Sequence, residues 1–431
     1  MPIAEYTIPG MHVRDHLVAV PLDWSRADSS VKIDVFVREV VDPTRKDENL
    51  PLLVFLQGGP GGKSPRPTAG SPPWLAEALK THRVVLPDQR GTGRSTRIEA
   101  ATMAQFSTAA AAADYLLRFR ADSIVADFEH VRRTLYDGKR WESLGQSYGG
   151  FLTLTYLSKF PDALAACYVA GGLASLRPSA DEVYRRTYPR AAGKTSRFYK
   201  RYPDDVARVG VLADYLASNQ VRLPDGDRLS VRRLQSIGID LGMGPGLENV
   251  HWLIDEAFSS DGRLSDNFLA AVMTATSYDS GPLFATLQES IYGHGSGATR
   301  WAAERIRAEF PAFDPGARPL LFTGEMMFPW MFEEIRSLRP FQAGAEALAQ
   351  RENYPELYDA ARLAANEVPV AAIVYHDDLY VDAALSLETA AEVGNLTHWV
   401  TNEYEHDGIR QNVEVFKRLV TMVKERGGPM R

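Results

Sequence analysis

Two short apolar runs and a further strand candidate near the start of the chain each stop at a glycine-rich turn, and this pattern narrows the possible folds more than any other feature of the sequence. Leu52–Leu56 runs into Gly58-Gly59-Pro60-Gly61-Gly62. The run 84–86 ends in Asp88-Gln89-Arg90-Gly91-Thr92-Gly93, and 141–144 ends in Gly145-Gln146-Ser147-Tyr148-Gly149-Gly150. Continuous apolar runs, without alternation, suit parallel strands covered on both faces, whose loops gather at one end of the sheet. Segment 122–136 repeats apolar residues at helical spacing (Ile124, Val125, Phe128, Val131, Leu135). Segment 151–160 reads as an apolar helix, and 164–169 as the next strand. This alternation predicts a doubly wound, mostly parallel sheet. Ahead of it, β-rich runs at 16–23 and 31–41 flank the turn-prone Ala27-Asp28-Ser29-Ser30 and predict a leading antiparallel pair.

From about Leu176 the texture becomes helical, with candidates at 181–199, 203–217, 229–237, 247–258, 266–276 and 299–310. Strand texture returns at 368–375 and 397–402, followed by a polar-faced helix over 411–426. The expected organisation is a core over 1–175, a mostly helical cap over 176–365, and the rest of the core over 366–431. Composition fits a soluble globular protein, at 45% hydrophobic and 24% charged residues. A net charge of -7 argues against a nucleic-acid partner, which needs a basic face. The single cysteine, Cys167, sits in an apolar run and reads as a small buried hydrophobe without a disulfide. The opening residues show neither a basic nor an apolar signal region. No apolar run approaches the roughly 20 residues that span a bilayer. The expectation is a cytoplasmic protein without a membrane partner; the oligomeric state is left unassigned.

Gly145-Gln146-Ser147-Tyr148-Gly149 fits G-x-S-x-G between a strand and a helix, the context that makes Ser147 a candidate nucleophile. A serine hydroxyl needs a base, and the base needs an orienting group. In the α/β-hydrolase architecture the acid and the histidine follow the serine in that order, each after a later strand. Here 370–375 leads into His376-Asp377-Asp378, and 397–402 leads into Glu405-His406-Asp407. His406 is the expected base and Asp378 the expected acid. Asp377 stands as the second choice, Asp382 reads as a helix cap, and His398 falls within a strand. The developing oxyanion needs donors; the N–H of Tyr148 and that of Gly59, in the first glycine turn, are the candidates.

Three core motifs together resemble the prolyl aminopeptidase (proline iminopeptidase) family of α/β hydrolases. They are Leu56-Gln57-Gly58-Gly59-Pro60-Gly61, Asp88-Gln89-Arg90-Gly91-Thr92-Gly93-Arg94-Ser95 and Gly145-Gln146-Ser147-Tyr148-Gly149-Gly150. Ser64-Pro65-Arg66-Pro67, Gln288-Glu289-Ser290-Ile291-Tyr292 and Gly324-Glu325-Met326-Met327-Phe328-Pro329-Trp330 are similar to motifs of its longer bacterial form. The chain departs from the shorter members at Gln57, where they carry histidine. The resemblance implies an α/β-hydrolase fold with a large helical cap inserted before the last core strands. It also implies release of N-terminal proline from short peptides without a metal or other cofactor. A charged secondary amine calls for carboxylates near an apolar, aromatic-walled pocket. Glu289 and Glu325 are the candidate anchors, with Trp330, Phe284 and Tyr148 as candidate walls; Arg90 and Arg94 are expected to brace their loop.

Metal and nucleotide motifs are missing: no H-E-x-x-H, no paired Cys/His spacing, no Walker lysine, and no third glycine after Gly91-Thr92-Gly93. Two other readings keep the same residues. One is an esterase, amidase or tripeptidyl-type aminopeptidase; the other is a catalytically silent relative that only binds ligands.

Overall fold

Strands buried along their whole length need neighbours on both sides and cover on both faces, and five segments of this chain are buried throughout. They are β4 (Leu52–Leu56), β5 (Arg83–Pro87), β6 (Trp141–Gln146), β7 (Leu164–Ala170) and β10 (Val370–Tyr375). The computed structural model describes residues 2–26, 28, 31–177 and 179–430. β1 (Ala4–Ile8), β2 (Met11–Pro21), β3 (Lys32–Val41) and β11 (Leu396–Thr401) complete a nine-stranded sheet in the order β1-β2-β3-β5-β4-β6-β7-β10-β11. Pairing is antiparallel from β1 to β5 and parallel from β5 to β11. The leading antiparallel unit is therefore three strands rather than a pair, and its second strand starts at Met11 rather than at residue 16. Of the expected turn 27–30, only Asp28 is among the described residues.

Helices cover both faces of the sheet. Val413–Lys424 turns Val415, Phe416, Leu419 and Val423 inward, and these pack with Phe55, Trp74 and Tyr168. Each such side chain contributes roughly 1.5–3 kcal/mol by leaving water. Ala121–Leu135 and Tyr148–Lys159 lie on the opposite face. Their apolar cluster continues without a break from Val54 and Leu152 to Tyr184, Leu212 and Phe328.

Between β7 and β10 the chain is helical, with Ala180–Arg201 the longest element. Asp205–Ser218, Gly246–Asp255, Asp266–Thr276, Pro282–Leu287, Ala302–Arg307, Pro329–Glu334 and Gln342–Ala349 follow. The exception is a two-residue antiparallel pair, β8 (Gly295–Ser296) with β9 (Asn353–Tyr354). The helix expected over 229–237 is instead Val231–Gln235 followed by a 3-10 stretch, Ser236–Gly242. Among the described residues, no helix is long and apolar enough to cross a membrane.

Candidate active site

The turn after β6 explains its glycines. A Cβ on Gly145 would lie 2.4 Å from the Gly149 carbonyl oxygen, one on Gly149 1.9 Å from that of Leu56, and one on Gly150 2.2 Å from that of Gly172. With no Cβ at these positions, the helix Tyr148–Lys159 starts directly on the strand end and leaves Ser147 on the bend. Ser147 takes φ 56 and ψ -126, a region that costs a non-glycine residue on the order of 1–3 kcal/mol. The surrounding backbone holds it there: its N–H donates to Ala170 at 2.9 Å, and its carbonyl accepts from Gly150 at 2.7 Å.

The loops after β10 and β11 bring a carboxylate and an imidazole to this serine. His406 Nε2 lies 2.8 Å from Ser147 Oγ, and His406 Nδ1 lies 2.7 Å from Asp378 Oδ2. Asp378 is 2% exposed and His406 3%. The other Asp378 oxygen accepts from the N–H groups of Tyr380 at 2.8 Å and Val381 at 3.1 Å. A carboxylate so placed can only accept, so Nδ1 carries the ring proton and Nε2 is free to accept from the hydroxyl. Tyr380 stacks on the imidazole with centroids 4.4 Å apart, and Gly171 admits Tyr375 and His406 where a Cβ would meet them at 2.7 and 3.3 Å.

The other acids and histidines of these loops lie elsewhere. Asp377 bonds His376 Nδ1 at 2.8 Å and faces Arg190 and Arg197 of the helix Ala180–Arg201. Asp382 caps the helix Ala383–Glu392 by accepting from Leu385 N–H at 3.0 Å, and His398 is exposed on β11.

Opposite the elbow, the turn after β4 closes on Ser147. A Cβ on Gly58 would stand 3.0 Å from the Ser147 Cβ, and one on Gly62 2.3 Å from the Gly58 carbonyl oxygen. Gln89 Nε2 ties this loop down through the Gln57 carbonyl at 2.7 Å. Gly59 has φ +131, and its N–H meets no acceptor among the described residues. Tyr148 opens its helix, where the first amides lack intrahelical partners. Arg90 is spent on structure, pairing with buried Asp127 and donating to the Leu22 and Arg118 carbonyls at 2.8 Å each. Arg94 pairs with Asp15 at 2.8 Å and lies over the Phe36 ring.

Glu325 and Glu289 are poorly served by partners. Glu325 is half-buried among tyrosines 184, 278, 292 and 380, all of which feel its charge. Burial pushes its pKa up to about 8, and Asp378 adds to the rise. The Gln288 amide opposes this rise, although its Nε2 falls outside hydrogen-bond geometry. Glu289 is 5% exposed, and burial pushes it up to about 7. One of its oxygens accepts from Ala303 N–H at 3.4 Å, at the start of the helix Ala302–Arg307; the other has no partner among the described residues.

Phe284 stacks on Tyr278, and its backbone N lies 3.0 Å from where a Gly61 Cβ would be, beside the glycine turn. Trp330 packs between Phe328 and Arg232 inside the cap, and no recorded contact among the described residues joins it to Ser147 or His406. Gln288, Tyr380 and Arg410 also belong to this region and escaped the sequence reading. Arg410 follows His406 by four residues and bonds Gln146, a proximity that was the available signal.

A profile of the alpha/beta hydrolase fold family matches residues 51–410. A proline iminopeptidase of Aeromonas sobria is 44% identical over 422 residues, covering 97% of this chain and 98% of the relative. A proline iminopeptidase of Aspergillus aculeatus is 35% identical over 426 residues, covering 94% and 92%. Similarity at this level runs through the sheet and the helical insertion alike, and the chain belongs to the proline iminopeptidase family of α/β hydrolases.

Proposed function

We propose that this protein is a serine exopeptidase that releases N-terminal proline from short peptides through an acyl-enzyme on Ser147. His406 Nε2 takes the hydroxyl proton as Oγ attacks the prolyl carbonyl, and Asp378 steadies the resulting imidazolium. The N–H groups of Gly59 and Tyr148 receive the oxyanion; such a donor is worth about 2.7–4 kcal/mol in the transition state. His406 then passes its proton to the departing nitrogen, and a water activated by the same ring hydrolyses the prolyl ester.

Residues 1–175 and 366–431 supply this chemistry, and 176–365 select the substrate. The observation that carries the reading is two cap carboxylates short of partners: half-buried Glu325, which feels the charge of Asp378 in the Ser147–His406–Asp378 array, and buried Glu289. A protonated secondary amine placed between them would be held in its charged form and would hold them in theirs. Phe284 and the surrounding tyrosines supply an apolar wall for the pyrrolidine ring. A chain whose one cysteine is a buried thiol needs no oxidising compartment, which supports action on cytoplasmic peptides.

Hydrolysis of proline, alanine and N-acetylproline arylamides tests the reading. Fast release from free proline and loss of turnover on acetylation are expected. Equal turnover of the free and blocked substrates would return the protein to the esterase or amidase class. Failure of a phosphonate to label Ser147 would leave only a ligand-binding role.

A further inference from the structure

The lid acids address one end of a small peptide, and its other end also carries a charge. His406 must hand its proton to the departing nitrogen, so the leaving chain starts at His406 and continues along what lies next to it. Arg410 is there, in the short helix Gly408–Gln411 that follows His406. Its Nη2 donates to Gln146 Oε1 at 2.6 Å, and Gln146 directly precedes the candidate nucleophile. The point a Gly58 Cβ would occupy is 3.0 Å from the Ser147 Cβ and 3.1 Å from Gln146 Oε1. The guanidinium, one hydrogen bond further on, is therefore within about 9 Å of the Ser147 Cβ, two to three residues' length at roughly 3.3–3.6 Å per residue.

The surroundings of Arg410 are unusual for a structural arginine. Protein atoms crowd it closely enough for burial to draw its pKa below the ordinary arginine value, yet its side chain is solvent-exposed. Among the described residues its one hydrogen-bond partner is the neutral Gln146 amide, and no carboxylate forms an ion pair with it. Asp407, the acid whose charge it feels most, is already engaged. One of its oxygens takes the Gly244 N–H at 2.9 Å and the other takes Gln411 Nε2 at 2.7 Å. By contrast Arg90, Arg94, Arg190 and Arg197 each meet an acid. A planar guanidinium with free donors is the side chain best shaped for a carboxylate.

We propose that Arg410 binds the C-terminal carboxylate of the leaving residue in proline-led dipeptides and so determines specificity for peptide length. The proposal rests on the reading of Ser147 as the nucleophile that releases N-terminal proline. In a dipeptide the carboxylate follows the scissile bond by one residue, and each added residue carries it about 3.3–3.6 Å further from that bond. Amidated substrates and arylamides forfeit the contact altogether.

The test compares kcat/KM for Pro-Ala and Pro-Ala-amide in the wild type, Arg410→Gln and Arg410→Lys, with Pro-Ala-Ala-Ala as a length control. The wild type should favour Pro-Ala over its amide by about tenfold or more, as one charge-assisted hydrogen bond allows, with the difference mainly in KM. Arg410→Gln should bring that ratio near one, and Arg410→Lys should keep part of it. A wild-type ratio near one, or no preference over the longer peptide, overturns the proposal without any variant having to fold. A ratio unchanged in Arg410→Gln also overturns it, including the case where both substrates slow equally because Gln146 has lost its brace. Failure of the parent reading looks different: no proline is released from its arylamide by the wild type.

Discussion

Asp378 and Glu325 are carboxylates close enough to feel each other's charge, and the protein surrounds them in opposite ways. Asp378 is almost fully buried yet accepts from two backbone N–H groups and from His406. Glu325 is half-buried and lies among tyrosine rings with one amide facing it outside hydrogen-bond geometry, and its pKa rises to about 8. Glu289 follows Glu325, with one oxygen at a helix start and the other unpartnered. The core array is thus complete in the free protein, whereas each lid acid lacks partners in it. Partners made of backbone preorganise a group at no further cost; a buried acid without them keeps its proton and becomes selective for what can take the place of that proton.

Substitutions can break this contrast, beginning with the largest expected effect. Ser147→Ala should lower kcat on proline arylamide on the order of 10⁶-fold, since members of such a unit are not additive. Asp378→Asn should cost about 10⁴ by leaving the imidazole in the wrong tautomer. Asp377→Asn, one residue away on the cap side, should change kcat no more than about threefold, in the range of an exposed ion pair. A large Asp377 effect with a small Asp378 effect would reverse the assignment of the acid. On the lid, Glu325→Gln should lower kcat/KM for free-amine substrates about 10²-fold, chiefly through KM, because a buried pair loses one partner.

Stability should divide along the same line. Gly149→Ala sets a Cβ 1.9 Å from the Leu56 carbonyl oxygen and should cost about 3 kcal/mol or more by denaturant unfolding. Gly193 lies in the cap helix Ala180–Arg201 with nothing within 4 Å of an added Cβ. Gly193→Ala should stabilise by about 0.5–1 kcal/mol.

The same contrast sets a pH dependence. Burial pushes Glu325 up to about 8 and Glu289 up to about 7, against an ordinary value of 4.5. Above that lower value the unfolded chain has already released these protons while the native protein holds them. Stability from each group is therefore complete below pH 4.5 and declines as pH rises through 7 and 8, by at most about 1.4 kcal/mol per pH unit. Glu325→Gln should flatten the fall of Tm between pH 5 and 8. Affinity for a cationic amine runs the other way and weakens as pH drops through the same window.

Much of this contrast could be read in the sequence, and what could not be read has a common cause. The elbow, the candidate base and the candidate acid lie on loops that immediately follow apolar strands, so strand order alone locates them. The first strand, Ala4–Ile8, buries no face of its own and exists by pairing with β2, which leaves no periodicity to detect. The expected helix over 229–237 tightens into a 3-10 stretch where a Cβ on Gly238 would stand 2.4 Å from Phe322 and Thr323. That contact is made by a partner far along the chain. The same holds for Gln288 against Glu325, Tyr380 over His406 and Arg410 against Gln146. Trp330 drew notice for its place in a motif, but its ring is packed against Phe328 and Arg232. Motif membership gives a position in the chain and not a direction for the side chain.

On the proposed division of labour, the core performs the reaction and the lid acids demand a free cationic amine. The most direct measurement is the ratio of kcat/KM for proline arylamide to that for N-acetylproline arylamide, in the wild type and in Glu325→Gln and Glu289→Gln. The wild-type ratio should be large, collapse toward one in Glu325→Gln and fall in Glu289→Gln. A ratio that stays at the wild-type value in both variants would contradict it.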